Sequence, residues 1–144
     1  MLKRIPKLLS PQLLKVLCEM GHGDEIVLAD GNFPSESMGA NGVVVRADGL
    51  PVPELLDAIL TVLPLDSYVE KPVALMGVVP GDPCKPDVWE TYKAILAKNG
   101  EDPQRIEWME RFAFYERAKK AYAIVATGEE RIYANILLKK GVVK

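Results

Sequence analysis

Apolar positions follow two rhythms along the chain, one helical and one extended. In 11–20, Leu13, Leu14, Leu17 and Cys18 recur at helical spacing, with Ser10-Pro11 as N-cap and first helical residue and Gly21 as the stop. Glu25 to Asp30 is then a short apolar run of the kind that forms a buried strand. Residues 31–42 read as a polar Gly/Ser/Asn loop long enough to be a lid, and Val43-Val44-Val45-Arg46 as a second strand closed by Asp48-Gly49. Pro53 opens a helix through Leu55, Leu56, Ile59, Leu60 and Leu63 that Pro64 ends, and Val73 to Val79 form a third strand.

Pro80-Gly81-Asp82-Pro83-Cys84-Lys85-Pro86 is a stiff connector, too short and too proline-rich to separate two domains with their own cores. Asp87 with Glu90 gives a capping-box-like start to a helix carrying Val88, Tyr92, Ile95 and Leu96, which Asn99-Gly100 closes. A short strand is expected around Ile106 to Met109 and a helix over Phe112 to Ala121. Strands over Tyr122 to Thr127 and Ile132 to Leu138 should follow, across a Gly128-Glu129-Glu130 turn. Strands alternating with helices point to an α/β fold, and the chain carries no internal repeat or low-complexity tract.

Composition narrows this to one domain over residues 1–144, a length that buries about two-thirds of its unfolded surface in a single core. A hydrophobic content of 49% with 26% charged residues is that of a soluble globular protein, and a net charge of −2 offers no field to attract nucleic acid or an anionic membrane. Lys3, Arg4 and Lys7 precede an apolar stretch, but Ser10, Pro11, Gln12 and Lys15 interrupt it before a signal-peptide or spanning length is reached, so the cytosol is the expected address. Cys18 and Cys84 are expected to be free thiols. With one histidine and no Cys-x-x-Cys, the sequence has no soft-metal site. Gly21-x-Gly23 lacks the third glycine of a dinucleotide fingerprint and precedes a strand, and no phosphate loop is present, so no cofactor is expected. Lys119-Lys120 reads as part of a solvated helix face.

The one histidine, His22, lies in Gly21-His22-Gly23 where the first helix gives way to the first strand. Flanking glycines let a partner approach closely, which suits an imidazole presented for acid/base work; an imidazole capping the last helical carbonyls is the alternative. Asp30 and Asp66 stand at the edges of apolar segments and could accept from hydroxyls, or could simply form turns. Arg111 and Tyr115, four apart, share a helix face if the helix begins by Arg111. They could line a pocket, or be a surface ion-pair arginine and a core-margin tyrosine. Tyr133 and Asn135, two apart in an expected strand, would point to one side, toward a pocket or toward solvent.

One pattern decides among these readings. Gly21-His22-Gly23-Asp24-Glu25-Ile26-Val27-Leu28-Ala29-Asp30-x-Asn32-Phe33-Pro34 resembles the signature of the L-fucose mutarotase and D-ribose pyranase family. Likeness continues through Ile5-Pro6-x-Leu8-Leu9-Ser10-Pro11, Arg46-Ala47-Asp48-Gly49, Leu63 to Val69, Glu110-Arg111-Phe112-x-Phe114-Tyr115-Glu116, Ala126-Thr127-Gly128-Glu129 and Tyr133-x-Asn135. The resemblance implies a central mixed sheet flanked by helices and a cofactor-free, metal-independent isomerase that opens and recloses a sugar ring. It also implies a ring-like homodecamer with the pocket near subunit contacts. His22 falls on the proton donor, Asp30, Arg111, Tyr115, Tyr133 and Asn135 on the sugar pocket, and Asp66 and Met76 on weaker pocket positions. Water or a tyrosine, Tyr133 first, would complete the proton relay. The block from Arg111 to Tyr115 resembles the fucose branch; the ribose branch has a histidine where Arg111 stands. Ala134 departs from the family's glycine and puts in question any close backbone approach there. The implied activity is interconversion of L-fucose anomers; pyranose/furanose interconversion of D-ribose and a non-catalytic sugar-binding module are the alternatives.

Overall fold

The computed structural model describes residues 1–144. Its elements are α1 (Pro11–Glu19), β1 (Glu25–Ala29), α2 (Ser35–Met38), β2 (Val43–Ala47), α3 (Val52–Leu60), β3 (Val73–Met76), α4 (Val88–Lys98), β4 (Ile106–Met109), α5 (Arg111–Lys119), β5 (Ala123–Thr127) and β6 (Ile136–Lys139). The strands form one mixed sheet in the order β2-β5-β1-β6-β3-β4. β2, β5 and β1 pair in parallel, as do β3 and β4, while β6 is antiparallel to both β1 and β3. Five strands therefore share one direction and β6 alone opposes them.

Period-two alternation divides the apolar residues between two faces. Ile26, Leu28, Leu75, Val125, Ile136 and Leu138 face the larger core beneath α1, α3 and α4. Val27, Ala29, Ala74, Met76, Ile124 and Leu137 face a smaller core closed by Phe114 and Ala118 of α5 and by Phe33. β1 and β5 are covered on both sides, which explains why their sequence reads as an unbroken apolar run rather than an alternating one. No helix is long and apolar enough to cross a membrane.

Several local expectations give way. The polar 31–42 segment contains the short helix α2, for which Pro34 and Ser35 supply the start. Asp87 does not cap α4 through its side chain, because its own backbone is already helical at φ −70°, ψ −26°. Cys18 is exposed, and Val16 takes the buried place on α1. The strand expected to run to Val79 stops at Met76. More consequentially, β5 and β6 are not neighbours across a turn: β1 lies between them. Local sequence marks the turn but carries no information about a third strand inserting from a hundred residues away. The last strand also begins only at Ile136, since Tyr133 takes the left-handed conformation at φ 58°. The two-residue alternation argument for Tyr133 and Asn135 therefore fails, although both side chains reach the same place by another route.

Gly128 ends β5 where the chain crosses the loop after β2: its N–H donates to the Leu50 carbonyl at 2.9 Å, and a Cβ there would overlap the Asp48 carbonyl oxygen. Both partners are backbone and cannot rotate away. Gly128→Ala should cost about 1–3 kcal/mol, seen as a lower midpoint of thermal or denaturant unfolding; an unchanged midpoint would show that the loop yields freely.

Candidate active site

Because β6 runs against its neighbours, the segment leading into it arrives at the edge of the sheet where β1, β3 and β4 leave. A cleft of about 240 Å³ opens there. It is smaller than the ~300–1,000 Å³ typical of drug-sized pockets. Asp30, Met76, Arg111, Tyr115, Tyr133 and Asn135, all expected to hold sugar, line it together, along with Phe33 and Asp82. This is the crevice at the carboxyl ends of parallel strands where open α/β sheets bind ligands.

Asp30 stands one residue beyond β1 and is buried. Its N–H donates to Asn135 Oδ1 at 2.8 Å, and its Oδ1 accepts from the Asn32 N–H at 3.0 Å. Asn135 thus spends its carbonyl oxygen on backbone and keeps its amide donors for a ligand. Burial pushes the Asp30 carboxyl above the usual carboxylate range, opposed by the N–H groups of Asn32, Ala134 and Phe33 and reinforced by the nearby Glu129 charge. Glu110 caps α5, accepting from the N–H groups of Phe112 and Ala113, so Arg111 is the first helical residue and does share a face with Tyr115. Its Nε donates to Tyr115 Oη at 3.2 Å, which leaves the two terminal nitrogens of the guanidinium free to fork across neighbouring hydroxyls.

Tyr133 is a tyrosine with positive φ, a conformation that persists only where the surroundings hold it. The Trp89 indole donates to its carbonyl at 2.8 Å, and Tyr92 Oη donates to the Ala134 carbonyl at 2.6 Å. Ala134 is fully buried with its methyl in the larger core, so a β-carbon is accommodated at that point. Tyr133 Oη donates to Asp82 Oδ2 at 2.5 Å and accepts from the Val79 N–H at 3.3 Å. Its acidity is weakened chiefly by that carboxylate. Asp82 lines the cleft yet is not among the residues that the sequence marks for it, because proline and glycine make 80–86 read as a connector. The available signal was Val79-Pro80-Gly81-Asp82, a turn pattern that delivers an acidic side chain just past a strand end.

His22 lies at the other end of β1. The five residues of that strand, at about 3.3 Å each, keep it well over 15 Å from Asp30, so within one chain the imidazole and the cleft do not meet. Asp66 belongs to this second place rather than to the cleft: its Oδ1 lies 3.1 Å from His22 Nε2. Asp66 is buried, and its carboxyl is held below the usual range, chiefly by the Tyr68 N–H and also by His22. An ionised carboxylate can only accept, so Nε2 carries the proton and Nδ1 is left free. Arg105 fixes the loop that carries Asp66, donating to the carbonyls of Asp66 (2.8 Å), Val69 (2.6 Å) and Glu70 (3.1 Å). The helix-capping alternative for His22 is excluded: Lys140 Nζ donates to the carbonyls of Leu17 and Met20 at the end of α1, and Asp24 accepts from the Gly21 N–H at 2.7 Å. No three His, Cys, Asp or Glu side chains converge as metal ligands would.

Residues 3–143 match the model of the RbsD / FucU transport protein family. The chain belongs to that family. Among RbsD / FucU relatives, the fucose mutarotase of Mus musculus is 55% identical, the alignment covering 97% of this chain and 94% of that protein. The L-fucose mutarotase of Actinobacillus pleuropneumoniae is 54% identical, over 99% of this chain and 97% of its own. The crystal structure of the fucose mutarotase from Streptococcus pneumoniae in complex with L-fucose superposes with a TM-score of 0.95 at 57% identity, covering 99% of this chain and 100% of that one. The mixed sheet flanked by helices is thus the RbsD / FucU fold.

The raised carboxyl of Asp30 has a consequence for stability. Between the usual carboxylate range and its higher folded value, the folded state holds more protons than the unfolded one, so stability falls as pH rises through that window and ionised Asp30 is a net cost at neutral pH. Asp30→Asn, which keeps an acceptor for Asn32, should unfold at a higher temperature than the unmodified protein at pH 7, with the difference narrowing as pH drops toward 4. A lower midpoint at pH 7 would contradict this account.

Proposed function

We propose that the chain interconverts the α and β anomers of L-fucose by ring opening, with the cleft at Asp30 holding the sugar. The observation that carries the reading is a cleft of monosaccharide size, lined by two carboxylates, one guanidinium, two amides and two phenols, in a chain that superposes on an L-fucose-bound relative. Hydroxyls are held by this set: Asp30 accepts, Arg111 and the Asn135 amide donate, and Phe33 and Tyr115 offer apolar surface. Ring opening needs one group to take the proton from O1 as the C1–O5 bond breaks and another to protonate O5. Rotation about C1–C2 and reclosure with the roles reversed then give the other anomer. His22, oriented by Asp66, is one such group and Tyr133 the other. Each positioned group contributes about 10²- to 10⁴-fold.

His22 can reach a sugar in the cleft only from a second copy of the chain. Exposed apolar side chains support that arrangement at both places: Val79, Trp108, Phe112 and Ile132 at and beside the cleft, and Tyr68, whose ring lies 5.4 Å from that of His22. Two different patches that meet head to tail close into a ring when the rotation permits, in keeping with a homodecamer. Two free cysteines, one of them exposed, suit a reducing cytosol.

His22→Ala should lower the rate of α/β exchange of L-fucose, followed by magnetisation-exchange NMR, by about 10² or more while leaving affinity within a few-fold. Arg111→Ala should weaken affinity itself. Exchange no faster with the protein than without it, at saturating sugar, would leave a binding module instead of an enzyme. Light scattering at micromolar concentration should give a large ring; a monomer alone would refute the shared site.

A further inference from the structure

A second cavity, of about 270 Å³, opens at the same edge of the sheet as the cleft. It lies where β1, β5 and β2 end: Asp30 follows β1, Asp48 follows β2 and Thr127 closes β5. The three strands are parallel, so this is again the carboxyl edge at which open α/β sheets take ligands. Asp30 and Phe33 line both spaces, the cleft toward β6 and β3 and this one toward β5 and β2.

One side chain here is unlike any other in the chain. Ser35 is buried, and its hydroxyl is the only buried side-chain nitrogen or oxygen without a hydrogen-bond partner. An unpaired buried hydroxyl costs stability, so its retention calls for a partner from outside the chain. The neighbouring hydroxyls are already engaged: Thr127 Oγ1 donates to the Ala29 carbonyl at 2.7 Å and Ser37 Oγ to the Pro34 carbonyl at 3.2 Å. Ser35 lines the cavity, which is where such a partner would sit.

Charge decides what that partner is. The carboxylates of Asp30, Glu36 and Asp48 line the cavity against a single guanidinium, that of Arg46. Arg46 is itself occupied, its Nε donating to Asp48 Oδ2 at 3.2 Å and its Nη1 to Glu36 Oε1 at 3.2 Å. The lining is therefore rich in acceptors and net negative, which disfavours an anion. A bare metal ion is not suited either, because no three His, Cys, Asp or Glu side chains converge. A primary ammonium meets both conditions, with a positive charge and three donors. The volume, close to the 240 Å³ of the cleft, admits it on a carbon chain of hexose size, and hydroxyls on that chain suit the remaining acceptors. We propose that this cavity is a second binding site, for a small polyhydroxylated amine whose ammonium donates to Ser35 Oγ and is held by the charge of Asp30, Glu36 and Asp48. The site shares Asp30 with the cleft but does not depend on the chemistry performed there.

D-glucamine is the probe, and D-glucitol, with a hydroxyl in place of the amine, its matched control; neither carries an aldehyde that could close a ring. Calorimetric titration at pH 7, with and without saturating L-fucose, should give one D-glucamine per chain, bound at least about tenfold more tightly than D-glucitol. Ser35→Ala should weaken D-glucamine by about three- to tenfold, and Glu36→Gln combined with Asp48→Asn by about tenfold or more. Because Ser35→Ala removes an unpaired hydroxyl, it should unfold at no lower temperature than the unmodified protein, which separates lost binding from lost fold. Equal binding of D-glucamine and D-glucitol, displacement of D-glucamine by L-fucose, or binding unchanged in both variants would overturn the proposal. So would the absence of saturable binding at millimolar D-glucamine, which would leave water as the partner of Ser35. If instead L-fucose does not bind while D-glucamine does, it is the reading of the cleft that fails.

Discussion

The direction of β6 governs the arrangement of this molecule. In a wholly parallel sheet the chain would enter a strand at the edge opposite the one where ligands bind. Here the one antiparallel strand enters at the ligand edge, and residues 133–135 come to lie against the residue that follows β1. Asp30 and Asn135 are 105 positions apart in sequence, yet the amide of one closes on the backbone of the other. What holds this register is burial: β1, β5, β3 and the start of β6 are covered on both faces, and a one-residue slip of β6 would exchange Ile136 and Leu138 with Leu137 between two cores of different size.

Two buried acidic side chains near the cleft are treated differently by the fold. Glu129 is paired with Arg131 at 2.8 Å and accepts from the Val52 N–H at the start of α3, so it ties the end of β5 to the larger core and is held below its ordinary range. Asp30 has backbone N–H groups but no cation of its own in the chain, and burial raises its pKa. A carboxylate whose strongest partners are missing in the free protein is suited to hydroxyl donors that arrive with a ligand. At the opposite edge Asp66 spends its charge on the imidazole it orients, with three carbonyls of its loop pinned by Arg105.

Much of this was legible in the sequence, for physical reasons that differ by residue. The strand ending in Asp30 and the helix carrying Arg111 and Tyr115 announce themselves through local periodicity and spacing, and even the short strand Ile106–Met109 falls where expected. Family likeness named the cleft residues. Strand order was not legible, because the insertion of β1 between β5 and β6 depends on contacts far apart in the chain. Nor was the backbone of Tyr133, since left-handed geometry at a bulky residue comes from the Trp89 and Tyr92 bonds to the carbonyls of Tyr133 and Ala134 rather than from any propensity of its own. Position in a motif does not reveal which neighbour a carboxylate faces, and within the chain Asp66 faces His22. Asp82 is not legible as a cleft residue, since proline and glycine around it signal stiffness and hide what the stiffness presents.

The two bonds from α4 to the loop before β6 bear on the thermodynamics of ligand capture. An indole and a phenol on a packed helix hold an unfavourable backbone conformation in place before any ligand arrives, so the cleft does not have to order that loop on binding. Preorganisation of this kind shifts the entropic cost from association to folding, and a small polyhydroxylated molecule with few apolar atoms has little binding energy to spare for ordering a loop. Helix α4, which touches no part of the cleft through Trp89 or Tyr92 side chains, thereby acts as a template for recognition at a distance.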